Sequence, residues 1–260
     1  SDCVLPPGYL QAVDDELTRK PCDAFGGPDR AHESFTPVQK AINYSMTSFF
    51  TTGGIRGGKK KLDKFYPRSF NMGIRADLYR RLGGFSAMRF GEDIDFSIRI
   101  FKSGASCRLF PEAWVWHKRR TDMKKFFKQV HNSGIARINL LKRHPGSMKP
   151  VHLLPALFTA GMACLALLFV AGLVLVGANL YGIHSMSGTG ADDHMLHVGV
   201  LLGCIAIACS LVPPALYSIL IFFDSLFQNK SCKVALLSIK ASFIQLLGYG
   251  TGFIRAWWLR

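Results

Sequence analysis

Three carboxylates fall within four residues at Glu92, Asp93 and Asp95, in the stretch GEDIDFSIRI. The chain around them is basic, with a formal net charge of +15, and acids are scarce. Carboxylates gathered this way serve a protein in one of two ways. They can accept a proton from, or hold a cation near, a reacting group. More plainly, they can cap a helix and offset its dipole. The residues after them decide the local setting. Ile94, Phe96, Ile98 and Ile100 alternate as in a strand, while Ile94, Ile98 and Phe101 form a helical stripe. Acids at the front, with Lys102 and Gly104 behind, favour a helix. Glu92 and Asp93 are then expected on the loop leading into that helix, and Asp95 within it as a cap.

The elements that would hold this cluster are of two kinds. Basic residues concentrate before His152 and apolar residues after it. The run 153–181 carries no charged residue and exceeds the roughly 20 residues that cross a bilayer. The run 195–223 is a second such segment, with Pro213 and Pro214 as a tolerated kink. A third, 234–254, contains Lys240 and ends in RAWWLR, so it either spans or lies along the surface. "HKRRTDMKKFFKQ" and "LKRHPGSMK" precede the first span, the polar loop 182–194 has no Lys or Arg, and "QNKSCK" follows the second. The positive-inside rule places residues 1–150 and the loop 224–233 in the cytoplasm. Such a distribution points to a membrane partner and not to nucleic acid.

Residues 1–150 read as mixed α/β. PVQKAINYSMTSFF and RADLYRRLGGF have helical character, the latter ending at Gly83. ASCRLF and AWVWH read as short strands parted by Pro111. TTGGIRGGKKKLDK is a basic glycine-rich loop without the GK[ST] of a P-loop. It either closes over a phosphate or is a solvated loop near the membrane. The seven cysteines form no CxxC and no zinc-finger spacing, so free thiols are expected. Met123, Phe126, Phe127 and Val130 share one helical face, the pattern of an amphipathic helix resting on a membrane.

Taken in order, SDCVLPPGYL, RSFNMGIRADLYRRLGGF and GEDIDFSIRI resemble the inverting family 2 glycosyltransferases of GT-A fold. The resemblance covers roughly residues 1–140. It implies an α/β domain, the C-terminal part of a Rossmann-like GT-A fold, over 1–150. An α-helical membrane domain over 151–260 would follow. SDC looks like the end of an aspartate-any-aspartate motif, which would make Asp2 a ligand for Mg²⁺ or Mn²⁺. The preceding aspartate, and most of the nucleotide-binding half, would then lie before residue 1. By the same resemblance Asp93 is the general base and Glu92 orients the acceptor or the base. Asn71, Gly73, Arg99 and Gln129 would contact donor or acceptor. His117 either reaches the metal or diphosphate or is a strand-end histidine. Lys118, Arg119 and Arg120 face phosphate or anchor to anionic lipid, at about 1 kcal/mol each.

The resemblance further implies a nucleotide-sugar donor and a lipid-linked or membrane glycan acceptor. The enzyme would belong to the cell (inner) membrane and to envelope polysaccharide synthesis. Processive synthases of this family carry QxxRW. Here Gln129 is followed by Val130, His131, Asn132 and Ser133, which argues against processivity. The rivals are a processive synthase all the same, a non-enzymatic basic membrane adaptor, and an inert fragment.

Overall fold

The computed structural model describes residues 2–52, 65–186 and 194–259. The glycine-rich basic loop 53–61 lies outside them. In chain order the elements are β1 (Cys3–Val4), α1 (Tyr9–Arg19), β2 (Ala24–Gly26), β3 (Asp29–Arg30), α2 (Pro37–Thr47) and α3 (Phe49–Thr52). There follow β4 (Met72–Ile74), α4 (Ala76–Arg81), α5 (Glu92–Lys102), β5 (Cys107–Leu109), β6 (Val115–His117) and α6 (Met123–Arg143). A 3-10 turn at Pro150–His152 then leads into α7 (Leu154–Met186), α8 (His194–Asn229) and α9 (Cys232–Trp258).

The mixed α/β expectation holds, with strands far shorter than a Rossmann-like sheet requires. Among the described residues, two three-stranded sheets form, in the orders β1-β6-β3 and β4-β2-β5. Each is mixed: β6 runs antiparallel to β1 and parallel to β3, while β2 runs antiparallel to β4 and parallel to β5. Prolines divide them. Pro28 separates β2 from β3 and Pro111 separates β5 from β6, so each chain segment leaves one sheet and enters the other. At Gly27 a Cβ would lie 1.7 Å from the carbonyl oxygen of Ala113, so only glycine lets the two segments pass.

Capping explains several helix starts. Thr36 and Gln39 form a capping box with Pro37 at the first helical position of α2. Asp122 accepts from the Lys125 amide at the start of α6. Helix α4 ends at Leu82, with Gly83 and Gly84 in the left-handed region. All seven cysteines are free.

Helices α7, α8 and α9 are each long and apolar enough to cross a membrane. Helix α7 pairs with α8 as an antiparallel hairpin. A Cβ on Gly172 would sit 2.9 Å from the Gly203 carbonyl, so small residues bring the backbones together. Helix α9 differs from both: 44% of its most apolar window is buried, against 6% and 11% for the other two. It meets the hairpin only near one end, where Gly250 approaches Pro155 and Thr159, and Phe243 meets Phe158 and Tyr217. Its other side lies along α6, in register from Ala241 beside Phe126 and Val130 to Phe253 beside Ile138.

Three expectations are corrected here. The stripe of Phe126 and Val130 is buried against α2 and α9 rather than laid on lipid, and only Phe127 stays largely exposed. The loop 224–233 shrinks to Lys230 and Ser231, because α8 continues to Asn229 and α9 begins at Cys232. Helix α5 begins at Glu92, so Glu92 and Asp93 occupy its first turn and not a preceding loop.

Candidate functional site

The first half of the site is built on the β1–β6 pair. Cys3 is in register with His117, and the Lys118 amide donates to the Asp2 carbonyl at 2.8 Å. This pairing sets His117 Nε2 at 3.4 Å from Asp2 Oδ2. His117 Nδ1 lies 3.7 Å from Asp29 Oδ2, brought in by β3 on the other edge of β6. The ring of Phe70 stacks on the imidazole, centroid to centroid at 4.3 Å, and fixes its plane.

One ligand atom each from Asp2, Cys3 and His117 falls within a 4.8 Å cluster. Burial pushes the Asp2 carboxyl up, but the His117 charge and hydrogen bonds outweigh it and hold the group below its ordinary value. Cys3 goes the other way: burial, then the Asp2 charge, pushes its thiol up to about 11. Of the three possible donors, the carboxylate and the imidazole suit Mn²⁺, and the carboxylate alone suits Mg²⁺.

The second half is the first turn of α5. Gly91 precedes it in the left-handed region and offers no side-chain cap. Asp93 Oδ1 accepts from the Ile94 amide at 2.8 Å, and Oδ2 lies 3.5 Å from Arg68 Nη1. Ser97 Oγ donates within reach of the Pro67 carbonyl at 3.1 Å, which seats the incoming loop on α5. Glu92 is half-buried beside it. The two halves share one connector. The tight turn 67–71, closed by the Asn71 amide donating to the Arg68 carbonyl at 2.9 Å, places Arg68 against Asp93 and Phe70 against His117.

Other residues expected at the site have different work. Asn71 is buried, donates to the Ala113 carbonyl at 2.8 Å and accepts from the Tyr9 hydroxyl at 2.7 Å, so it knits loops together. Gly73 gives way to the Phe25 ring, 2.1 Å from where a Cβ would stand. Arg99 is spent on Asp95 and on the Leu82 and Gly84 carbonyls, both at 2.6 Å. Gln129 is half-buried and accepts from Arg120 at 3.1 Å. Arg119 is buried, with Nη1 2.6 Å from Asp29 and Nε donating to Asn43, so it faces protein rather than phosphate. Asp95 is no cap: it is fully buried and takes hydrogen bonds from Arg99 and His144.

Sequence reasoning passed over Arg68, Phe70, Asp29 and Cys3. Cys3 had a usable signal, since it adjoins Asp2 in a short strand. Arg68 and Phe70 stand in the stretch RSFNMG, but their types alone assigned them no role, and Asp29 sits in the two-residue strand β3.

No protein-family model matches the chain. A 78-residue stretch is 33% identical to the "Pre-mycofactocin glycosyltransferase" of Mycobacterium tuberculosis, in strain CDC 1551 / Oshkosh and equally in strain ATCC 25618 / H37Rv. That stretch is 30% of this chain and spans only 17% of the length of each relative. The similarity is to a glycosyltransferase, and three apolar helices accompany it here.

Proposed function

We propose that the chain belongs to a membrane-bound glycosyltransferase of family 2 type. It would move a sugar from a nucleoside-diphosphate donor to a membrane-associated or lipid-linked glycan, with inversion. The observation that carries this reading is the turn 67–71, which holds Asp93 on one side and the Asp2–His117 pair on the other. A proton acceptor and a cation site facing one short connector is the arrangement an in-line displacement needs. One side receives the attacking hydroxyl, and the other receives the departing diphosphate.

Asp93 takes the proton of the acceptor hydroxyl as its oxygen bonds to the anomeric carbon, and the bond to the diphosphate breaks on the opposite face. Arg68 holds the carboxylate in place, and Glu92 orients the hydroxyl. Asp2 and His117 would hold Mn²⁺ or Mg²⁺, which when bound offsets the negative charge of the leaving diphosphate. Phe70 shields His117 from water and keeps its ring plane.

The geometry also supports a placement on the bilayer. At about 1.5 Å per residue, α7 and α8 are each roughly 50 Å long, against a hydrocarbon core of about 30 Å. Their surplus length accommodates α9 at the basic end of the hairpin. Along α6 the exposed residues include Lys124, Lys125, Lys128, Lys142 and Arg143. A helix packed lengthwise against so charged a neighbour lies at the membrane surface more readily than across it. With Trp257 and Trp258 at its end, α9 is then an interfacial helix, and residues 1–150 face the cytoplasm of the cell membrane.

The test is turnover of a panel of nucleoside-diphosphate sugars by the full-length protein in detergent, with Mn²⁺ or Mg²⁺ present. Asp93→Asn is expected to lower transfer by about 10²- to 10⁴-fold. Unchanged transfer in Asp93→Asn overturns the assignment of the base, and no turnover of any donor overturns the function.

A further inference from the structure

Asp95 is fully buried, two positions beyond Asp93. An acid there needs partners, and it has them from two directions. Arg99 Nε donates from one turn on at 3.0 Å. From α6, Arg143 Nε lies 2.9 Å away and His144 Nε2 2.8 Å away. His144 Nδ1 faces the Lys102 ammonium at 3.3 Å. An ammonium has only hydrogens to offer, so Nδ1 presents its lone pair and Nε2 carries the proton given to Asp95. The other nitrogens of Arg99 tie the same centre to the turn after α4 through Leu82 and Gly84.

Arg143 and His144 end α6, just ahead of the 3-10 turn that leads into α7. A second contact lies beside this one. A Cβ on Gly91 would stand 3.2 Å from Ala136 and 3.3 Å from Leu140, so the start of α5 is pressed on α6 as well. The first turn of α5 is thus clamped to the helix end from which the membrane segment departs.

We propose that Asp95 is a positioning residue: by clasping Arg143 and His144 it sets Asp93 at a fixed height above the point where the chain enters the membrane. This rests on the reading of Asp93 as proton acceptor. It assigns a distinct consequence, because a set height matters for an acceptor held in the bilayer and little for water.

The experiment compares wild type with Asp95→Asn and Arg143→Gln, the latter altering a half-exposed side chain with little risk to folding. Transfer to a membrane-embedded acceptor is measured against hydrolysis of the same donor. A displacement of about 1 Å costs on the order of 100-fold in a positioned reaction. Asp95→Asn is expected to lose about that much transfer, with donor KM unchanged and hydrolysis far less affected. Arg143→Gln is expected to move the same ratio by about tenfold, since His144 remains. A role in the fold alone lowers transfer and hydrolysis together, so an unchanged ratio in both variants overturns the proposal. Hydrogen exchange supplies a readout independent of chemistry. Amides 92–96 should exchange faster in Asp95→Asn while those of α7 do not, and protection equal to wild type at 92–96 overturns the clamp. If the wild type turns over no sugar, the function fails, and hydrogen exchange alone decides whether the clamp exists.

Discussion

The joint between α6 and α9 carries a sharp prediction at Gly252. A Cβ there would lie 2.0 Å from the His131 carbonyl oxygen and 2.8 Å from its carbon. Ordinary contact begins at 3.4 Å, so a methyl group falls about 1.4 Å short of the room it needs. The obstacle is backbone, which cannot rotate away as a side chain can. The neighbouring positions allow no compensating slide: a Cβ on Gly134 would stand 2.1 Å from the Tyr249 carbonyl oxygen, and His131 Nδ1 lies 3.2 Å from Thr251 Oγ1. Overpacking of this kind costs about 1–3 kcal/mol. Alanine's better helix propensity returns about 1 kcal/mol. Gly252→Ala is therefore expected to destabilise by about 0–2 kcal/mol net, and to fall about 1–3 kcal/mol, or roughly 6 °C in melting temperature, below a glycine-to-alanine change that meets no clash. Gly161→Ala is the matched control, because nothing lies within 4 Å of a Cβ there. Thermal unfolding in detergent, followed by circular dichroism, compares the two. If Gly252→Ala melts with Gly161→Ala, the close approach of α6 and α9 is refuted, and with it the register that places α9 beside a charged helix.

Acid should weaken the α5–α6 clamp. Burial pushes the Asp95 carboxyl up, but its bonds from His144 and Arg99 prevail and hold it below the ordinary 3.8. A depressed folded value means its stabilisation is complete above about pH 4 and is lost as pH falls further. The wild type should therefore lose melting temperature more steeply than Asp95→Asn on going from about pH 5 to pH 3. Mn²⁺ binding, read by electron paramagnetic resonance of the free ion, should weaken at least about tenfold in Asp2→Asn and in His117→Ala. Tyr44 is buried on α2 and donates to Asp224 Oδ2 of α8 at 2.5 Å. Tyr44→Phe should cost about 1.5 kcal/mol in unfolding experiments, the low end for a charged bond, because Gln228 still donates to Asp224 at 3.0 Å.

What was legible along the chain follows from how far apart the interacting residues lie. The starts of the apolar helices were read within two residues and their ends four to six residues short, since length and absence of charge are local properties. The choice between strand and helix for α5 came from its flanking acids and glycine. The alternation of Phe96, Ile98 and Ile100 was a by-product of burial on several faces at once, for Asp95 and Ser97 are buried too. Helix α1 went unseen because YLQAVDDELTR mixes polar and apolar residues almost evenly, and none of the helix is buried. At the site, the motif residues Asp2, Asp93 and His117 were visible as types. Their supports were not: Arg68 reaches Asp93 across 25 residues, and Arg143 and His144 reach Asp95 across 48 and 49. Asp95 shows why this matters. Read locally, an acid in a first helical turn is a cap. But capping leaves a side chain near water, whereas this one is fully enclosed. An enclosed carboxylate must be neutralised by cations arriving from elsewhere, so its burial, which no local pattern encodes, converts a cap into a tie between α5 and the end of α6.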